Sequence, residues 1–176
     1  MSTGPGSRRA GWWTCCWTRS PGAPPRTDRG RGTIAAVRRC HPSNKAFAPL
    51  AEARALGADE PGSAIHDTLR SSGEPHTVVK TRISAFSTTS LDPFLRERGI
   101  DTLVLAGIYT SGVVLSTVLD GADRDYRLLV IGDACADADQ DLHTSLLGSV
   151  LPLHADILGV ADSEAAAYAA AERQQG

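Results

Sequence analysis

The sequence predicts an α/β fold of three layers, helix on sheet on helix, around a mostly parallel, doubly wound sheet. Two observations predict it. Residues 103–107 read Leu-Val-Leu-Ala-Gly, and 126–133 hold a second run, Leu-Leu-Val-Ile, that closes on Asp133. Such runs are too short for an isolated helix and rich in branched side chains, as strands covered on both faces require. From residue 76 onward, runs of this kind alternate with amphipathic stretches of helical length, which is the pattern of β-α-β units with right-handed crossovers.

In chain order, residues 1–32 contain no Leu, Ile or Val, but hold Trp12, Trp13, Trp17 and four of the ten prolines. They show no strand or helix period, so residues 1–43 read as an irregular segment and 44–176 as the folded domain. A short edge strand fits at 32–40. An Ala-rich helix fits at 45–56, with Pro49 in its first turn, and a helical piece at 63–69. Residues 76–80, His-Thr-Val-Val-Lys, form a strand ending in Lys80. Ser90 then caps a helix through Arg98, with Leu91, Phe94 and Leu95 on one face and Gly99 as its stop. The strand at 103–107 follows. Its junction with the next helix is the first place to look for chemistry, because ligands of open parallel sheets sit where strands end. Thr110 and Ser111 are placed to accept from the free amides of that helix, which carries Val114, Val118 and Ala122 at four-residue spacing. After the strand at 126–133 come a helix at 140–150, a last strand at 155–160, and a terminal helix capped by Asp162 or Ser163.

Charge divides the chain. Residues 1–45 hold nine of the 18 Lys and Arg and one of the 20 acids, Asp28. An Arg-rich arm with interleaved aromatics is a weak signal for nucleic acid, and nucleic acid is ranked last among partners. Cys15, Cys16, Cys40 and Cys135 have neither the spacing of a disulfide framework nor that of a zinc site, and Cys135 reads as a structural thiol. A reducing cytoplasm, no membrane span and no signal peptide are the expectations.

Residues 78–80 (Val-Val-Lys), 84–86 (Ser-Ala-Phe), Leu91, Leu95, 107–110 (Gly-Ile-Tyr-Thr), Thr117, 133–137 (Asp-Ala-Cys-Ala-Asp) and His143 together resemble the isochorismatase-like hydrolase superfamily over residues 44–162. Amidases of that superfamily act through a cysteine, a lysine and an aspartate. The resemblance implies that Lys80 is the lysine, where it would lower a nucleophile's pKa or stabilise a developing anion. It places the cysteine position on Val113, which has no lone pair. It also implies a cis peptide at Ile108–Tyr109, an anion pocket made by the amides of Tyr109 and Val113, and substrate contacts from Tyr109, Thr110 and Phe86. The aspartate should end a first strand, which is missing from residues 1–32, as is the metal-binding Asp and His cluster of nicotinamidases. The implied protein acts on a small amide or related substrate with an impaired catalytic set, needs no cofactor and no metal, and forms homo-oligomers. A binding or assembly protein that keeps the fold is the alternative. The Arg, Gly, Pro, Trp and Cys bias before residue 41 is that of a GC-rich coding region translated out of frame.

Overall fold

A computed structural model of the chain describes residues 13–19, 28–34, 40–53 and 76–162. Its strands are β1 (Trp13–Arg19), β2 (Asp28–Ile34), β3 (His76–Lys80), β4 (Ile100–Ile108), β5 (Arg127–Ala136) and β6 (Asp156–Leu158). The helices are α1 (Ala48–Glu52), α2 (Leu91–Glu97), α3 (Leu115–Ala122), preceded by a π-helical turn Thr110–Val114, and α4 (Gln140–Ser145), followed by a second π turn Leu146–Val150. The expected helix at 63–69 lies outside the described residues.

The six strands form one sheet in the order β3-β2-β1-β4-β5-β6. The pairs β2–β3, β4–β5 and β5–β6 are parallel, whereas β1 is antiparallel to both β2 and β4. Five strands therefore share one direction and β1 runs against them. The mostly parallel α/β architecture is as the sequence predicts, but the amino-terminal segment is not. Regular structure was not expected in residues 1–32, yet β1 occupies 13–19 and is seated between β2 and β4. The reason lies in the neighbours. A slot between β2 and β4 presents main-chain donors and acceptors on both sides, and Trp, Thr and Cys suit a pleated strand without any apolar period. The edge strand expected at 32–40 is replaced by β2, which starts at Asp28 and is internal; β3 takes the edge.

Alternation along β4 and β5 divides the core in two. Leu103, Leu105, Leu128 and Val130 join Leu91, Leu95, Val113, Val114 and Val118 on one face, while Val104, Leu129 and Ile131 form a smaller cluster on the other. Period-two alternation with both faces apolar is what a continuous apolar run encodes. α2 ends at Gly99, whose φ of +62° is the left-handed conformation glycine adopts without a Cβ penalty. The loop after β3 is pinned to α3: the Ser84 hydroxyl donates to Asp120 Oδ2 at 2.7 Å and the Ala85 amide to Thr117 Oγ1 at 3.1 Å. These bonds give the residues at 84, 85 and 117 a physical role, that of tying the Lys80 loop to the helix beside β4.

Three capping expectations are corrected. The Ser90 side chain makes no cap bond; the Thr89 hydroxyl accepts the Leu91 amide at 3.2 Å. Thr110 and Ser111 do not cap α3, as described below. The last helix begins at Val160, and Asp133 in β5 accepts the Val160 amide at 2.9 and 3.1 Å, so a neighbouring strand caps this start and Asp162 lies inside the helix; Ser163 is outside the described residues. No helix among the described residues is long and apolar enough to cross a membrane.

Candidate active site

β4 ends at the rim of the sheet in a cis peptide between Ile108 and Tyr109, where the resemblance implies one. Tyr109 stays extended, with φ −102° and ψ 145°, and its carbonyl accepts the amides of Gly112 at 3.3 Å and Val114 at 3.1 Å. The second of these bonds spans five residues and defines the π-helical turn. The amides of Gly112 and Val114 are thus used inside the turn.

Two side chains, Asp137 from the β5–α4 connection and His143 from α4, hold this turn from outside. Thr110 is fully buried; its Oγ1 lies 2.8 Å from His143 Nδ1 and 3.2 Å from the Ala136 carbonyl oxygen. A hydroxyl has one proton, so both contacts are met together when Thr110 donates to Ala136 and His143 donates its Nδ1–H to Thr110. Asp137 takes the Ser111 amide on Oδ2 at 2.6 Å and the amides of Ala138 and Asp139 on Oδ1 at 2.8 and 3.3 Å. Burial alone would raise the Asp137 carboxyl, but hydrogen bonds from Ser111, Asp139 and Ala138 outweigh it and hold the group below the usual carboxylate range. The expectation that Thr110 and Ser111 would accept from helix amides is therefore overturned. The Thr110 hydroxyl serves β5 and α4, and Ser111 donates to Asp137 from both its amide and its hydroxyl.

Val113 is 5% exposed and belongs to the main core cluster, so the position the resemblance gives to a nucleophile carries a buried aliphatic side chain. Tyr109 is 41% exposed and available to a ligand. Lys80 ends β3 on the same rim, because β3 and β4 share a direction and Val78, Gly32, Trp13 and Gly107 lie at one level of the sheet. Two strands, β2 and β1, stand between β3 and β4, about 14 Å of sheet width at ordinary strand spacing. Lys80 is fully buried, and its Nζ donates to the carbonyls of Arg82 at 3.0 Å and Ile83 at 2.8 Å. The shared rim is thus present, with the ammonium turned onto its own loop.

Phe86 is not at the rim. It stacks on Tyr126 with centroids 5.5 Å apart and lies under the Arg124 guanidinium, beside the point where α3 closes on the start of β5. Phe86 is buried in the main core cluster, and the Ser84 and Ala85 bonds to Asp120 and Thr117 seat this stretch along α3. Cys135 is buried and shares a register position with Gly107. Burial pushes its thiol up, a hydrogen bond with Gly107 opposes that, and the Asp133 charge adds to it, which suits packing rather than attack. Asp28 pairs with Trp17, near the end of the sheet opposite Lys80, about 20 Å along the strand from Ile34 at ordinary rise. The segment 13–19 has no acid. Among the described residues no three His, Cys, Asp or Glu side chains are arranged to hold a metal ion. The contacts of Asp137 and His143 with the turn were not read from the sequence; the only signal was their presence among the residues that carry the resemblance.

A parallel-sheet protein with a cis peptide and a helical turn at the rim, flanked by a strand-end lysine, has the architecture of an isochorismatase-like hydrolase. The chain belongs to that family: the isochorismatase domain matches residues 9–162. It is similar to a "probable inactive nicotinamidase" of Arabidopsis thaliana, 41% identical over 73 residues, which are 41% of this chain and 37% of that protein. It is also similar to a ureidoacrylate amidohydrolase of Methylobacterium radiotolerans, 40% identical over 96 residues, 53% of this chain and 37% of that protein. The chain thus matches little more than a third of the length of these two relatives. Among solved structures, an isochorismatase-like hydrolase from Alkaliphilus metalliredigens superposes with a TM-score of 0.64 at 29% identity, over 78% of this chain and 71% of that one.

Proposed function

We propose that this chain keeps the small-amide site of its family in a form impaired for hydrolysis, with ligand held at the turn from Tyr109 to Val113. Val113 is the observation that carries the reading: a buried residue without a lone pair cannot form the covalent intermediate that an activated sulfur forms. Among the described residues, β1 and β2 bring no carboxylate to the rim, since 13–19 has no acid and Asp28 lies away from it by register, which supports the loss of the aspartate as well. Groups that act as a unit fail nearly together, so two losses leave little rate. The relative named as a probable inactive nicotinamidase supports impairment. The amidohydrolase supports an amide or ureido group as the ligand's chemistry.

The test uses the full chain with nicotinamide, simple aliphatic amides and isochorismate, following both product formation and shifts of the 109–113 amide resonances. Ligand-dependent shifts with no product above the protein-free blank are the expected result. Turnover that disappears in Lys80→Ala would overturn the impaired reading, and saturation of no ligand would favour the alternative of an assembly protein. Copies of the chain are also proposed to associate, since the edge strand β3 exposes Val79 and the far edge exposes Leu153 and Val160. Light scattering is expected to give at least twice the monomer mass, and a strictly monomeric value would reject this.

A further inference from the structure

We infer that His76 is a proton-sensitive fastener of the edge strand β3: its neutral ring docks the strand on α2, and a proton on that ring loosens it. His76 opens β3, and among the described strands β3 pairs with β2 alone. A strand with one neighbour makes ladder bonds on one side only, so its side-chain contacts decide how firmly it sits. Val78 and Lys80 are buried, whereas Thr77 and Val79 face outward. The start of the strand rests on α2 through a ring stack. The His76 ring lies on the Phe94 ring with centroids 3.6 Å apart and planes 10° from parallel. Phe94 in turn packs against the main core cluster, so the stack ties the first residue of β3 to a fixed surface.

The other face of Phe94 is taken. The Arg98 guanidinium carbon stands 3.7 Å from the same centroid, and two groups that near one centroid overlap unless they lie on opposite faces. A phenyl ring attracts a cation to either face, and Arg98 already supplies one. A proton on His76 puts a second positive charge about 7 Å from the first, the two contacts laid end to end, within the screening length of about 8 Å at physiological salt. Nearby acids do not cancel it. Glu97 pairs with Arg98 at 3.5 Å, but its side chain is 81% exposed, where an ion pair is weak. Asp92 is engaged by Tyr126, Arg96 and Arg124. On β2 the residue across from His76 is Gly30, with Arg29 and Arg31 beside it and Asp28 two residues, about 7 Å, before it. Glu74, two residues before His76 in the chain, lies outside the described residues. Burial first, and the Arg98 charge second, hold His76 below the ordinary histidine range. A base whose folded pKa is depressed contributes stability that is present above the unfolded value of about 6.5 and is lost as pH falls through the lower folded one. That loss falls on β3, which carries Lys80 at its other end.

The experiment takes two readouts from the full chain. One is the His76 ring resonances, assigned by their absence from His76→Phe; the other is hydrogen exchange of the β3 amides, corrected for the intrinsic effect of pH. Wild-type His76 is expected to titrate below about 6.5, and Arg98→Gln, which removes a charge from an exposed side chain, to raise that midpoint. Between about pH 7.5 and about pH 5, the protected β3 amides are expected to speed up at least about threefold relative to Val130 of β5. His76→Phe keeps a ring on Phe94 and takes no proton, so its β3 amides are expected to keep pace with Val130. A His76 midpoint at or above about 6.5, or one that Arg98→Gln leaves unmoved, overturns the inference. So does β3 exchange that keeps pace with Val130 in wild type, or that speeds up equally in His76→Phe. Should His76→Phe not fold, Arg98→Gln decides: its β3 amides are expected to speed up less than those of wild type, and an equal or larger change overturns the inference.

Discussion

Two ionisable side chains in this fold have opposite pH signatures. Tyr126 is buried and its hydroxyl donates to Asp92 Oδ1 at 2.8 Å. Burial first, then the bond and charge of Asp92, push its pKa up to about 12. A folded-state pKa above the unfolded value of about 10 means a stabilising contribution that is complete below pH 10 and is lost as pH rises through 12. Absorbance titration is therefore expected to show one tyrosine that ionises only near about pH 12, and Tyr126→Phe to lower stability by about 1 kcal/mol at pH 7 and by less at pH 12. Equal losses at both values would contradict the assignment. Asp137 is the reverse case, because its folded pKa is depressed. Its contribution is present above the unfolded value of about 3.9 and is lost as pH falls through the lower folded value. Urea melts of wild type and Asp137→Asn are expected to differ at pH 6 and to converge toward pH 2. Neither residue was singled out by the sequence as a titrating group, because a pKa depends on which elements meet, and Asp92 and Tyr126 are 34 residues apart.

Single elements were legible where the apolar pattern had no alternative. The runs at 103–107 and 128–131 could only be strands buried on both faces, and the structure makes them β4 and β5. Helix ends were less legible, since a cap depends on the φ and ψ of one residue and on which hydroxyl faces the free amide. Ser90 stands at the N-cap without a side-chain bond, while Thr89 takes the Leu91 amide. Thr89→Ala is accordingly expected to cost about 1 kcal/mol and Ser90→Ala a few tenths or less, as measured by chemical denaturation. The reverse order would return the cap to Ser90. A second test concerns the contact of α3 with β5. A Cβ on Gly121 would meet Leu128 Cδ2 at 3.1 Å and Phe86 Cε2 at 3.4 Å. Gly121→Ala is expected to destabilise the chain by about 1 to 3 kcal/mol through overpacking, although alanine is the better helix former. A stabilised variant would mean that these side chains yield freely.

At the scale of the whole molecule, the site was legible as a set of positions but not as a set of contacts. Lys80 and the turn share a rim because the parallel strands that carry them were readable. That β2 and β1 separate them was not, since strand order follows from crossovers and from a segment with no apolar period. On the function proposed above, the reversed β1 also bears on what hydrolysis would need. Putting a thiol back with Val113→Cys supplies one of the three groups the family uses. The sulfur would lie in the core cluster, with Asp28 on the sheet's opposite end by register and no acid in 13–19. Nothing among the described residues of β1 or β2 could then exchange a proton with it at the rim, and Asp137 is committed to three amides. Val113→Cys alone is therefore expected to release no ammonia from nicotinamide above the wild-type rate, although the new thiol should react slowly with a thiol reagent. Activity is expected only when residues before 41 are replaced by an apolar strand that ends in Asp, which would run parallel to β4 where β1 now runs against it. Resequencing the locus bears on the same point: an alternative frame encoding such a strand would mark β1 as the product of a shifted frame. Turnover by Val113→Cys without that strand would show that a thiol at 113 suffices for hydrolysis.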